Sequence, residues 1–158
     1  MTDSQSGPDT RIVVLPDPAA TEALAAGIAR TLRRQDVIAL SGDLGAGKSV
    51  FSRALIRAAG DAAGVEIGHV PSPTFTLVQL YELPDFTIYH FDLYRLSASD
   101  EAIEIGIDDA FAEGVSVIEW AERIEDMLPA GTIRIHIDFG ASETERIARI
   151  SGGREAGR

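Results

Sequence analysis

DVIALSGDLGAGKSVF, residues 36–51, is the stretch that decides how the rest of this 158-residue chain is read. Its first part, DVIAL, is almost wholly apolar, which suits a strand buried on both faces of a parallel sheet. Its second part, Gly42-Asp43-Leu44-Gly45-Ala46-Gly47-Lys48-Ser49, fits the phosphate-loop pattern G-x-x-x-x-G-K-[ST]. Beyond it Phe51, Ala54, Leu55 and Ala58 mark one helical face, with Gly60 as the expected stop. The pattern thus stands between a strand and a helix, the context it requires. Glycines at 42, 45 and 47 let the backbone turn its N–H groups inward, where the helix N-terminus adds positive potential toward a phosphate. Lys48 is the sole lysine beside thirteen arginines. A compact ammonium on a flexible stem reaches over such a loop to β- and γ-phosphate oxygens, whereas a guanidinium is wider and prefers fork-like pairing.

Working outward toward the N-terminus, RIVVL (11–15) is a short strand. Asp17-Pro18 then caps a helix in which Leu24, Ile28 and Leu32 recur every four residues. Toward the C-terminus, residues 74–83 and 86–94 read as two strands joined by Pro84-Asp85 in a hairpin. Residues 97–114 are acidic and partly helical; 115–120, 132–139 and 145–150 supply the remaining strands. The alternation predicts an α/β fold: a single P-loop NTPase-like three-layer domain over 11–150, mostly parallel in its sheet, with antiparallel strands near one edge. Residues 1–10 and 151–158, rich in Ser, Gly and charge, read as loose ends.

Composition narrows the function. The net charge of -11 disfavours extensive direct binding to nucleic acid, although the arginines suffice for a local basic patch. There is no cysteine, hence no disulfide or thiolate metal site, and no apolar run long enough for a membrane span. The polar start lacks a secretory h-region, and a reducing cytoplasm is the expected compartment. An N-K-x-D guanine motif cannot occur in a chain whose one lysine is Lys48. Ile150-Ser151-Gly152-Gly153 is similar to the signature of transporter ATPases, but this domain is too small for that class.

Ser49 is placed to put its hydroxyl on Mg²⁺, a cation that takes one or two protein oxygens beside phosphate and water. Further ligands are expected where strands end beside the loop. Asp92, closing TIYHFD, and Glu119, closing VSVIE, qualify.

Beyond the loop, Ser72-Pro73-Thr74-Phe75-Thr76-Leu77-Val78, His90-Phe91-Asp92-Leu93-Tyr94-Arg95-Leu96 and Ile118-Glu119-Trp120-Ala121-Glu122 follow in order. Together the four segments resemble the motifs of the TsaE (formerly YjeE) family, over residues 11–139. The resemblance implies a bacterial P-loop ATPase that assists formation of N6-threonylcarbamoyladenosine at position 37 of tRNAs reading codons that start with A. It implies an accessory role on a TsaB–TsaD heterodimer, which would hold most of the tRNA. It makes Lys48 the phosphate clamp, with Asp43, Leu44, Gly45, Ala46 and Gly47 forming the nucleotide cradle. Ser49 and Asp92 become magnesium ligands, and Glu119 either a further ligand or the group that orients the attacking water. Thr74 is then a switch threonine sensing the γ-phosphate. Trp120 is tied to activity or partner contact, with core packing as its alternative. Thr21 matches a position near the nucleotide, with a helix N-cap as its alternative. Arg95 and Arg123 are the nearest candidates for an arginine finger. Two other functions stay open at this point: a small-molecule P-loop kinase, and a nucleotide-gated docking module without essential hydrolysis.

Overall fold

The computed structural model describes residues 10–153. Val37 to Leu40 are all buried, because the strand they form lies at the centre of a seven-stranded sheet. In chain order the elements are β1 (Arg11–Leu15), α1 (Pro18–Ala29), β2 (Val37–Ser41), α2 (Lys48–Ala62), β3 (Val78–Glu82), β4 (Thr87–Asp92), α3 (Glu101–Glu104), α4 (Ile107–Glu113), β5 (Val115–Glu119), a 3₁₀ segment (Ala121–Met127), β6 (Ile133–Phe139) and β7 (Arg146–Gly152). The sheet order is β1-β7-β6-β2-β5-β4-β3. The inner pairs β6–β2, β2–β5 and β5–β4 are parallel. The β3–β4, β6–β7 and β1–β7 pairs are antiparallel. Antiparallel strands therefore flank the parallel centre on both sides, where the sequence reading placed them near one edge; the β6–β7 hairpin returns the chain and lets β1 close that flank.

Side chains alternate across β2. Ile38 and Leu40 join Phe51, Leu55 and Ile56 of α2 in one apolar cluster. Val37 and Ala39 join Phe91, Ile118, Ile107 and Ile124 in the other. The result is the expected three layers. Asp17 caps α1 through its side chain on Ala20 N. The buried residues of α1 are Thr21, Ala25 and Ala29. Leu24 and Ile28 flank that stripe half-buried, and Leu32 follows the helix.

Three of the boundaries that differ from the sequence reading have a plain physical reason. The strand expected from residue 74 begins at Val78, because Leu77 is in the left-handed region (φ 72°) and ends the preceding turn. β7 runs on to Gly152 and pairs with β6, so Ser151 and Gly152 belong to the sheet; the loose ends expected over 1–9 and 154–158 lie outside the described residues. Finally, α2 passes through Gly60 to Ala62. Gly60 permits a close crossing: a Cβ there would lie 2.7 Å from Ile67 Cδ1 and 2.8 Å from the Val65 carbonyl oxygen. Helix propensity alone favours alanine by about 1 kcal/mol, but the backbone carbonyl cannot yield easily. Gly60→Ala is expected to destabilise the fold by about 1–3 kcal/mol, read from the urea midpoint; stabilisation in that assay would mean the crossing is loose. Among the described residues no helix is long and apolar enough to cross a membrane.

Candidate nucleotide site

β2 delivers the chain into the glycine loop, and α2 starts at Lys48 directly behind it. Gly42, Gly45 and Gly47 have φ of 137°, 83° and 117°. Only glycine adopts these readily. At Gly42 there is a second reason, since a Cβ would lie 2.3 Å from the carbonyl oxygen of Ile137. The loop is pinned from outside by Arg146, whose Nε donates to the carbonyl of Ala46 (3.1 Å) while its guanidinium stacks on Phe139 (4.8 Å to the centroid).

Lys48 is buried. Its ammonium donates to the carbonyls of Gly42 (2.6 Å) and Asp43 (2.9 Å) and sits 4.0 Å from the centre of a Trp120 ring. Burial lowers its pKa; the carboxylates of Glu122, Glu119, Asp43 and Asp92 oppose that shift only in part. Trp120 reaches this position from a left-handed backbone (φ 61°), a conformation that costs a bulky residue free energy and persists where the surroundings impose it. Tyr94 packs on it at 4.8 Å.

The parallel register sets Asp92 beside Glu119, and Glu119 beside Leu40. Both carboxylates thus emerge at carboxyl ends of strands adjoining the loop, where ligands of open α/β sheets bind. Glu119 accepts from Ser49 Oγ at Oε1 (2.9 Å) and from His90 Nε2 at Oε2 (2.8 Å). Burial raises its pKa, but the hydrogen bonds of His90 and Ser49 outweigh that and hold it below the usual carboxylate value. Ser52, one turn along α2, adds to this field although its hydroxyl makes no bond of ordinary geometry. Asp92 accepts from Thr74 Oγ1 (3.2 Å) at Oδ2 and from the Tyr94 amide (3.0 Å) at Oδ1. Ser72 extends this chain to Thr74 (2.7 Å).

A cleft of about 330 Å³ gathers most of the expected residues: Leu44, Gly45, Gly47, Lys48, Ser49, Thr74, Asp92, Glu119 and Trp120 all line it. Asp43 takes part through its carbonyl, and Ala46 is buried behind the loop. Thr21 does not line the cleft; it is buried inside α1, and the cap it was alternatively assigned belongs to Asp17. Arg95 stacks on Phe75 (4.9 Å), and Arg123 donates to the Tyr94 carbonyl (3.1 Å). Neither arginine lines the cleft. Trp120 faces the lysine, with its ring also against the second apolar cluster. His90, Ser72, Tyr94 and Arg146 had no assigned role in the sequence reading. His90 was findable, since it stands two residues before Asp92 on one strand and shares its face; Arg146 lies 100 residues from Ala46 and leaves no local signal.

A larger cavity, about 620 Å³, opens on the uncovered flank of the sheet between β2, β6, β7 and the 3₁₀ segment. Its arginines are already held, Arg134 by Glu125 (2.6 Å) and Arg149 by Asp138. It has no glycine loop, and the smaller cleft is the one shaped for a phosphate chain.

A strand-loop-helix phosphate cradle on a parallel sheet, with carboxylates at the neighbouring strand ends, defines a P-loop NTPase-like α/β domain. The comparisons narrow the class. A family profile described as "Threonylcarbamoyl adenosine biosynthesis protein TsaE" matches residues 15–148. The chain is 37% identical over 139 residues to the tRNA threonylcarbamoyladenosine biosynthesis protein TsaE of Rickettsia felis, covering 88% of this chain and 78% of that one. It is likewise 37% identical over 139 residues to the protein of the same name from Bacillus subtilis, covering 87% and 83%. The crystal structure of Bacillus subtilis YdiB superposes with a TM-score of 0.71 at 29% identity, covering 92% of this chain and 86% of that one. The chain belongs to the TsaE family.

Proposed function

We propose that this protein binds ATP with Mg²⁺ in the cleft and hydrolyses it to ADP and phosphate, as a cytoplasmic accessory protein of tRNA N6-threonylcarbamoyladenosine formation working with TsaB–TsaD. The observation that carries the reading is the paired arrangement across the loop. A lysine ammonium rests on the loop's own carbonyls on one side, and a hydroxyl held by a buried carboxylate stands on the other.

Phosphoryl transfer to water needs positioning and charge neutralisation more than covalent chemistry. The loop amides and the α2 N-terminus would hold the phosphates, and Lys48, now on the Gly42 and Asp43 carbonyls, would supply its ammonium to phosphate oxygens. The donor set suits a hard dication that brings phosphate and water ligands with it. Ser49 gives its only hydrogen to Glu119, so what it offers the cleft is a lone pair. Asp92, and Glu119 in part, would complete the protein's share. Neutralising charge on the β- and γ-phosphate oxygens is the chemistry a bound Mg²⁺ supplies there. Glu119, kept ionised by His90 and Ser49, retains acceptor capacity for a water proton. Thr74, tied to Asp92, would report the γ-phosphate to its segment. No arginine among the described residues lines the cleft, which favours slow hydrolysis alone and acceleration by a partner. With a net charge of -11, contact with tRNA is expected mainly through the partner proteins.

The test incubates the protein with ATP and Mg²⁺, alone and with TsaB–TsaD and tRNA, following free phosphate, phosphorylated products and modified adenosine. Phosphate release stimulated by the partners, with repeated turnover of the modification, is the expected result. A phosphorylated metabolite would instead identify a kinase. A second reading, a nucleotide-gated docking module, is favoured by Phe75, which stands 81% exposed beside the switch threonine. It predicts modification that persists in a variant that binds ATP but cannot hydrolyse it.

A further inference from the structure

His90 lies outside the phosphate cradle, 1% exposed on β4. Its Nε2 meets Glu119 Oε2 at 2.8 Å, and Nε2 carries the hydrogen because an ionised carboxylate only accepts. Its other nitrogen, Nδ1, is buried without a hydrogen-bond partner among the described residues, as are the hydroxyls of Ser52 and Ser116. An unsatisfied buried polar atom costs free energy, and such atoms in a core call for an explanation. Packing alone does not supply one, since an apolar ring would fill the same space without an orphaned nitrogen.

The register explains what the ring does. Asp92 pairs with Glu119, and His90 with Val117, so His90 sits one pleat deeper, on the face that α2 covers. From there it engages the carboxylate oxygen facing away from Ser49. We infer that His90 is a positioning residue for hydrolysis: by holding Oε2 it fixes the Glu119 carboxylate so that Oε1 stays on Ser49 and the remaining lone pairs face the cleft. The inference rests on the ATP-hydrolysis reading above. Removing the imidazole leaves Ser49 as the one side chain among the described residues in ordinary hydrogen-bond geometry with that carboxylate, which is then free to turn.

The test compares His90→Phe and His90→Gln in the full chain; the glutamine amide can reach the place of Nε2 and donate. Three quantities are followed: steady-state phosphate release, the Mn²⁺ affinity of the ADP complex by electron paramagnetic resonance, and the urea midpoint. For His90→Phe the expected result is a kcat lowered about 10–100-fold, with Mn²⁺ affinity of the ADP complex weakened on the same scale. His90→Gln should restore most of both. In a Glu119→Gln background His90→Phe should add no further loss of Mn²⁺ affinity, since residues acting through one group are not additive. Wild-type kcat and Mn²⁺ affinity in His90→Phe would overturn the inference. Equal losses in the Phe and Gln variants that track a common loss of stability would overturn it too. Should the wild type release no phosphate with or without partners, the hydrolysis reading falls, and the Mn²⁺ arm still decides whether His90 orders the carboxylate.

Discussion

Lys48→Ala is expected to lower ATP hydrolysis by about 10²–10³-fold or more, to the background of the phosphate-release assay, and to weaken nucleotide binding in calorimetry. The structure says why this position is so sensitive. The ammonium is already desolvated, lodged between two loop carbonyls and the Trp120 ring. Burial costs it part of its hold on a proton, and an incoming phosphate chain returns that stabilisation. The charge therefore interacts more strongly with phosphate than it would in water, and it is in place before the ligand arrives. Lys48→Arg is expected to fail nearly as badly, because the space between the Gly42 carbonyl and the indole admits an ammonium and not a planar fork. The fold should survive Lys48→Ala: the desolvation cost of the ammonium goes with it, and Lys48 lines the open cleft, where water can reach the groups it leaves. Phosphate release by Lys48→Ala at the wild-type rate would remove the phosphate-loop reading altogether.

What was legible in the sequence follows from how local each determinant is. The loop, its strand and its helix are coded within sixteen consecutive residues, and each part constrains the next. Asp92 and Glu119 were legible because a carboxylate closing an apolar strand is expected at the sheet's ligand edge. The parallel register that aligns them then follows from topology. Thr21 turns inward with Ala25 and Ala29 along the buried stripe of α1, and position along a helix does not say which side of it faces the loop. The second antiparallel flank was missed because the pairing of β1 with β7 joins residues 11–15 to 146–150, a contact no short window contains. Gly60 misled for a related reason. A glycine reads as a helix stop, yet here it serves a crossing with residues 65–67 that only the folded chain brings close.

Glu119→Gln is expected to separate binding from turnover: nucleotide affinity near wild type, and hydrolysis reduced about 10²–10⁴-fold. The substitution keeps volume and leaves an amide within reach of both Ser49 and His90, so the cleft should keep its shape. What disappears is an acceptor held ionised in a buried setting, where a positioned charge is worth more than in solvent. The fold loses some stability, since the interactions that hold the carboxylate ionised outweigh its desolvation and are weaker to a neutral amide. One mismatch remains, because the amide nitrogen must face one of two groups that now donate to the carboxylate; Ser49 can rotate to accept, whereas the buried ring of His90 is packed in place. Magnesium dependence decides between the two roles open to this carboxylate. A group that orients water is not replaced by more cation, so the variant's rate should stay low at every Mg²⁺ concentration. If high Mg²⁺ restores the rate, Glu119 serves the metal and the acceptor for the attacking water must be sought at Asp92, the other carboxylate lining the cleft.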